Sequence, residues 1–210
     1  MKLFLKSVVA AAVLVPSFAF AATYTLDPSH STAEFSVRHM MVSNVKGAIK
    51  LTSGSLNLDE KDVTKSTVEA TLDTSTINTN EPKRDEHLKS ADFFDAAKYP
   101  TITFKSTKVA KAGKDKLKVT GDFTLHGVTK PVVLDVTGPT AEAKDPWGNT
   151  VRGVEATTTI NRKDFGLSWN KALETGGVAV SEDVKITLNL EMKKEAPAAA
   201  APAAAEPAKK

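Results

Sequence analysis

Apolar and polar residues alternate along most of the chain, the period of strands with one face buried and one face wet. The clearest run is DVKITLNLEMKK, where Val184, Ile186, Leu188, Leu190 and Met192 share one face and Lys185, Thr187, Asn189, Glu191 and Lys193 the other. In AEFSVRHMM the same parity sets Phe35, Val37, His39 and Met41 against Glu34, Ser36, Arg38 and Met40. It recurs in Val68, Ala70 and Leu72; in Ile102 and Phe104; in Leu117, Val119, Phe123 and Leu125; and in Val132, Leu134 and Val136. With Ile49 to Leu58, and with Val154 to Ile160, whose inner face is thin, about eight strands are predicted. The turns between them are legible as AKAGKDK, HGVTKP and DPWGN.

One segment breaks the alternation. Thr79 to Pro100 reads TNEPKRDEHLKSADFFDAAKYP; Asn80 can cap a helix with Glu81, Pro82, Asp85 and Glu86 near its start, and Pro100 stops any continuation. One or two short helices are expected across an otherwise antiparallel sheet. A closed barrel of about eight strands is wide enough to be filled by side chains or to hold one slender ligand. Small residues at Ala33, Ala70, Gly121, Ala156 and Thr158 leave room for a cavity, although a filled sandwich fits the pattern equally well.

The two ends differ from this middle. Residues 1–21 carry Lys2 and Lys6, an apolar run and Ala19-Phe20-Ala21, the layout of a secretory leader cleaved near Ala21. Residues 195–210, EAPAAAAPAAAEPAKK, hold nothing that builds a core and read as a disordered tail. The domain between them is expected over 22–194, with no later segment apolar enough to span a membrane. The chain has no cysteine, so its stability must come from the core. Without Lys2 and Lys6, 26 basic residues face 25 acidic ones, a net charge of +1 that gives no support for nucleic-acid binding.

Catalytic and cofactor signals are weak. The four histidines, His30, His39, His87 and His126, match no metal spacing, and no phosphate loop or nucleophile elbow is present, so no cofactor is expected. Three features bear on binding. His39 points inward, where a core histidine satisfied by the backbone is the commoner case and a hydrogen-bonding group in an apolar cavity the functional one. Arg84 and His87 stand three apart on one helix face and could receive an anionic or polar head, while Asp85 and Lys89 read as a surface ion pair. The aromatics Phe93, Phe94, Phe104, Phe123, Phe165, Trp147 and Trp169 are either core or the wall of an apolar pocket.

Four segments in order, YTLDPSHSTAEFSVRHM, RDEHLKSADFFDAAKYPTITF, GDFTLHGVTKPV and DPWGNTVRGVEATTTINRKDFGLSWN, resemble the YceI-like family of bacterial polyisoprenoid-binding proteins over nearly all of Thr23 to Lys194. The resemblance implies an all-β, lipocalin-like antiparallel barrel exported to the periplasm, with a long apolar channel for an isoprenoid or other long-chain amphiphile and no established catalytic reaction. Phe35, Val37, Phe104, Phe123 and Phe165, joined by Trp169, are then expected as channel wall, with His39, Arg84 and His87 toward a head group. The expected partner is a long-chain isoprenoid, such as a polyprenyl phosphate or a quinone, or another amphiphilic lipid; oligomeric state is left open, a dimer included. An enzyme using His39 or His87 as acid or base, and a packed interaction module, are the rival readings.

Overall fold

A computed structural model describes residues 21–174 and 176–196. The predicted leader and tail lie outside that range except for Ala21, Glu195 and Ala196. The alternating segments form β1 (Ala22–Leu26), β2 (Thr32–His39), β3 (Ser43–Leu58), β4 (Thr67–Asn78), β5 (Thr101–Gly113), β6 (Lys116–Leu125), β7 (Val128–Thr137), β8 (Ala143–Lys144), β9 (Thr150–Asn161) and β10 (Val180–Lys194). One α-helix, α1 (Pro82–Lys89), interrupts them between β4 and β5.

The ladder is antiparallel throughout and closes, because β10 pairs with both β2 and β9. β1 and β2 each run antiparallel to β3 and β10, so together they make one stave broken at Asp27 to Ser31. The barrel therefore has eight staves, and the two-residue β8 only flanks β9. The thinnest joint is β7 with β9, where three residue pairs, Asp135 to Thr157, Val136 to Ala156 and Thr137 to Glu155, complete the ring.

Two strands differ from expectation. The parity through Phe35, Val37 and His39 ends at His39; Met41 lies in the β2–β3 hairpin turn and is exposed rather than inward. Ile49 to Leu58 is the second half of the longer β3. The helix begins one residue later than Asn80 suggested. Asn80 is left-handed (φ 62°), and the Glu81 carboxylate caps the helix by accepting from the N–H groups of Lys83 and Arg84 at 3.3 and 2.5 Å. Asp85 does not pair with Lys89. It accepts from the Thr79 N–H and hydroxyl at 2.8 and 2.5 Å, while Lys89 reaches Glu86 at 3.1 Å.

Small residues in the walls serve two purposes. Ala33, Ala70, Ala156 and Thr158 face the interior and leave it open, whereas Gly121 on β6 seats an aromatic ring. A Cβ there would stand 2.6 Å from the Lys105 carbonyl oxygen and inside the Phe104 ring. Overpacking of this kind costs about 2 kcal/mol, so Gly121→Ala is expected to lower the unfolding midpoint by about 4–8 °C in a calorimetric scan. An unchanged midpoint would show that Phe104 has another place to go.

Candidate functional site

The inward faces of the staves enclose a cavity of about 380 Å³ whose lining is almost wholly carbon. Its long axis can be gauged from β10, where Val184, Ile186, Leu188, Leu190 and Met192 all line it. The eight steps from Val184 to Met192 at ~3.3 Å each, tilted by roughly 40°, give a slot about 20 Å long. Its volume lies within the range of small-molecule pockets, and its form suits a long, thin molecule.

The two ends are built differently. At the floor stands the buried cluster of Tyr24, Leu58 and Met192, of which Leu58 and Met192 line the cavity, and a polar clasp lies against it. The Tyr24 hydroxyl donates to Glu142 at 2.8 Å and accepts from Arg152 Nε at 2.8 Å; Arg152 also donates to the Thr140 carbonyl at 2.6 Å and Glu60 at 3.2 Å, and Lys194 reaches Glu142 at 2.6 Å. Burial pushes the Tyr24 phenol up and keeps it a proton donor.

At the opposite end α1, through Arg84, His87 and Leu88, and the residues Leu167, Trp169, Ala179 and Val180 surround the mouth. Phe93 and Trp169 lie with ring centres 5.0 Å apart, and the His87 ring meets each edge-on at 5.1 and 5.2 Å. Most polar groups along the wall are spent on the protein itself. Thr158 donates to the Val133 carbonyl at 2.9 Å, the Ser66 hydroxyl accepts from Asp59 N–H at 3.0 Å, and Arg84 donates through Nε and Nη2 to the Thr79 hydroxyl and carbonyl at 2.7 and 2.9 Å. Hydrogen bonding within the wall removes these atoms from competition for water and leaves carbon facing inward.

Eight of the nine candidate residues line the cavity: Phe35, Val37 and His39 from β2, Arg84 and His87 from α1, Phe104 from β5, Phe123 from β6, and Trp169. Phe165 does not. It lies in a 3-10 turn over Arg162–Phe165, nearly fully buried, with its ring edge-on to Phe123 at 5.5 Å, so it supports the wall from behind. Arg84 and His87 share the mouth but turn to separate partners, Thr79 for the arginine and Asp92 for the histidine, whose Nε2 lies 2.8 Å from the carboxylate. The His39 ring forms no hydrogen bond among the described residues; it stands at the last position of β2, facing the mouth.

Sequence reasoning missed Arg162. It lines the mouth with 4% of its surface exposed and donates to the carbonyls of Ser181 (2.9 Å), Val180 (3.5 Å) and Leu167. No carboxylate pairs with it among the described residues. Desolvation lowers its pKa, yet a guanidinium so placed remains a cation. The triplet Arg162-Lys163-Asp164 reads as a solvated turn, and no period or spacing in the sequence marks its first member as buried.

A YceI-like domain model matches residues 24–192. The chain belongs to the YceI-like family. Among family relatives it is 42% identical to a UPF0312 protein of Vibrio parahaemolyticus, over 75% of this chain and 84% of that one. A UPF0312 protein of Staphylococcus aureus is 39% identical over 80% of this chain and 95% of its own. The crystal structure of Campylobacter jejuni YceI protein superposes with a TM-score of 0.62 at 31% identity, covering 75% of this chain and 90% of that one. A polyisoprenoid binding domain from Saccharophagus degradans has the same fold, with a TM-score of 0.57 at 17% identity over 84% of this chain and 99% of that one.

Proposed function

We propose that the protein is a periplasmic binding protein that sequesters or carries a long-chain isoprenoid lipid, held tail-down in the barrel with its head at the mouth. The observation that carries the proposal is the one-way polarity of the cavity. Carbon lines it from the floor upward, whereas His39, His87, Trp169 and the two arginines gather at one end. Apolar burial at ~25 cal/mol per Å², less the cost of association, makes tail length the main source of affinity. The polar groups at the mouth then fix orientation. Arg162, a buried cation without a carboxylate partner among the described residues, favours a head that is anionic or accepts hydrogen bonds, such as a phosphate or a quinone carbonyl.

The leader supports export, and the family resemblance supports an isoprenoid tail over other amphiphiles. The decisive test is organic extraction of natively purified mature protein, followed by mass spectrometry and by titration of the emptied barrel with polyprenyl phosphates and quinones of increasing tail length. Affinity is expected to rise with tail length and to change less with the head. No co-purifying lipid together with no uptake of added lipid would overturn the reading. Chemical turnover that disappears in His39→Ala or His87→Ala would replace it with an enzyme.

A further inference from the structure

Among the described residues five large apolar side chains are exposed, and three of them are consecutive: Met40, Met41 and Val42, at 46, 56 and 75%. They form the tip of the β2–β3 hairpin, directly after His39, which lines the cavity. The Met40 N–H donates to the Ala179 carbonyl at 2.8 Å, and Ala179 lines the cavity too. The tip therefore stands on the rim of the open end.

Its backbone is unusual for its side chains. Val42 N–H closes the turn on the His39 carbonyl at 3.0 Å, and Met40 and Met41 adopt φ of 48° and 61°. The hairpin loop has three residues, Met40 to Val42, and the positive φ of the first two favours Asn or Gly and penalises a residue with a long side chain. Turn geometry thus gives no reason for two methionines. Arg38 Nη2 donates to the Met41 carbonyl at 3.0 Å and fixes the tip with its apolar groups outward.

We propose that the Met40–Val42 tip docks on the surface of a neutral phospholipid bilayer, seating the mouth against the phase from which an apolar ligand is drawn. The inference rests on the carrier reading for its purpose, though not for its geometry. A bilayer fits better than a protein partner because stable protein interfaces take about 20–30 residues a side, and this patch is three residues rimmed by Arg38, Ser43 and Asn44. Flexible, apolar methionine also suits a fluid surface that offers no fixed shape.

The test is flotation of the mature protein with phosphatidylcholine vesicles containing no isoprenoid. Wild type is expected to float, and to do so still at about 1 M salt, where the Debye length is ~3 Å. The variant M40N/M41G/V42S keeps a favourable turn and should lose at least tenfold in vesicle affinity, while taking up geranylgeraniol added from ethanol as wild type does. Trp147→Ser, which removes the exposed tryptophan of the β8–β9 turn, should float normally. The proposal is overturned if wild type stays in solution, if the tip variant floats equally well, if Trp147→Ser is the variant that fails, or if the tip variant instead dissolves a dimer. Flotation that depends on the tip, with no geranylgeraniol uptake by either protein, would support docking and count against the carrier reading alone.

Discussion

Ala70→Trp is expected to abolish retention of a long-chain ligand while leaving the barrel folded. Ala70 sits on β4 between Gly54 of β3 and Phe104 of β5, and its methyl group faces the cavity. An indole placed there enters open space, so the usual penalty for enlarging a packed core does not apply. An aromatic side chain covers roughly 150 Å² or more, and a ligand tail denied that much apolar contact loses about 4 kcal/mol at ~25 cal/mol per Å². That is close to three decades in Kd. Titration with a polyprenyl phosphate should show the loss, thermal melting should show a near-native midpoint, and extracts of the purified variant should be free of lipid. Undiminished uptake would mean that ligands do not enter the slot.

Asp27→Asn should produce a clear loss of stability, about 2 kcal/mol for an ion pair of which only the carboxylate is buried, or roughly 4–8 °C in midpoint. Asp27 occupies the break between β1 and β2 with 4% of its surface exposed. Its carboxylate accepts from Lys193 at 2.7 Å, His30 Nδ1 at 3.0 Å and Ser29 N–H at 2.9 Å, and its own N–H donates to the Glu191 carbonyl at 2.8 Å. An asparagine fills the space but cannot pair with Lys193.

The effect has a definite pH dependence. Lys193 first, then His30 and the Ser29 N–H, hold the Asp27 carboxyl far below the ordinary carboxylate range. A pKa depressed on folding stabilises above the unfolded value of about 3.9, and that contribution disappears as pH falls through the folded value. The hydrogen bond to Asp27, then the nearby charges of Asp27 and Glu191, raise His30. Its contribution is complete below the unfolded value of about 6.5 and is lost as pH rises through the folded one. The gap between wild type and Asp27→Asn in urea midpoint should therefore be widest at pH ~5–6 and narrow on either side, most strongly in acid. A gap independent of pH would assign the loss to packing.

The sequence displays what has a short period and hides what depends on distant partners. The eight predicted strands correspond to the eight staves because most alternate over several residues, Val184 to Met192 most clearly, while Ile102 with Phe104 and the thin face of Val154 to Ile160 carry a weaker signal. β1 was not among them: Ala22, Tyr24 and Leu26 do alternate with Thr23 and Thr25, but only over five residues next to the predicted cleavage point, and two-residue β8 has no period to show. Met41 follows the parity of its strand on paper, but a hairpin turn intervenes, and parity does not mark where a strand stops. Arg84 and His87 could be brought together by helical spacing alone. The turning of one to Thr79 and the other to Asp92 depends on loops on either side of the helix. Phe165, expected in the wall, is buried off the cavity, and Arg162, of which nothing was expected, stands at the opening, because both belong to a short 3-10 turn whose orientation the neighbouring staves set.

The closing role of β10 also bears on how the barrel comes into being. Ala33 is paired with Leu188, and Glu34 with Thr187, so the first stave has no permanent neighbour on one side until almost the whole chain is available. Hairpins such as β5–β6 and β6–β7 can form from local contacts, but the ring cannot close without bringing together segments more than 150 residues apart. Long-range pairings of this kind slow the search. Until closure, β2 and β9 expose bare edges suited to pairing with another chain, which makes the interval before β10 docks the time at which this protein most needs protection from aggregation.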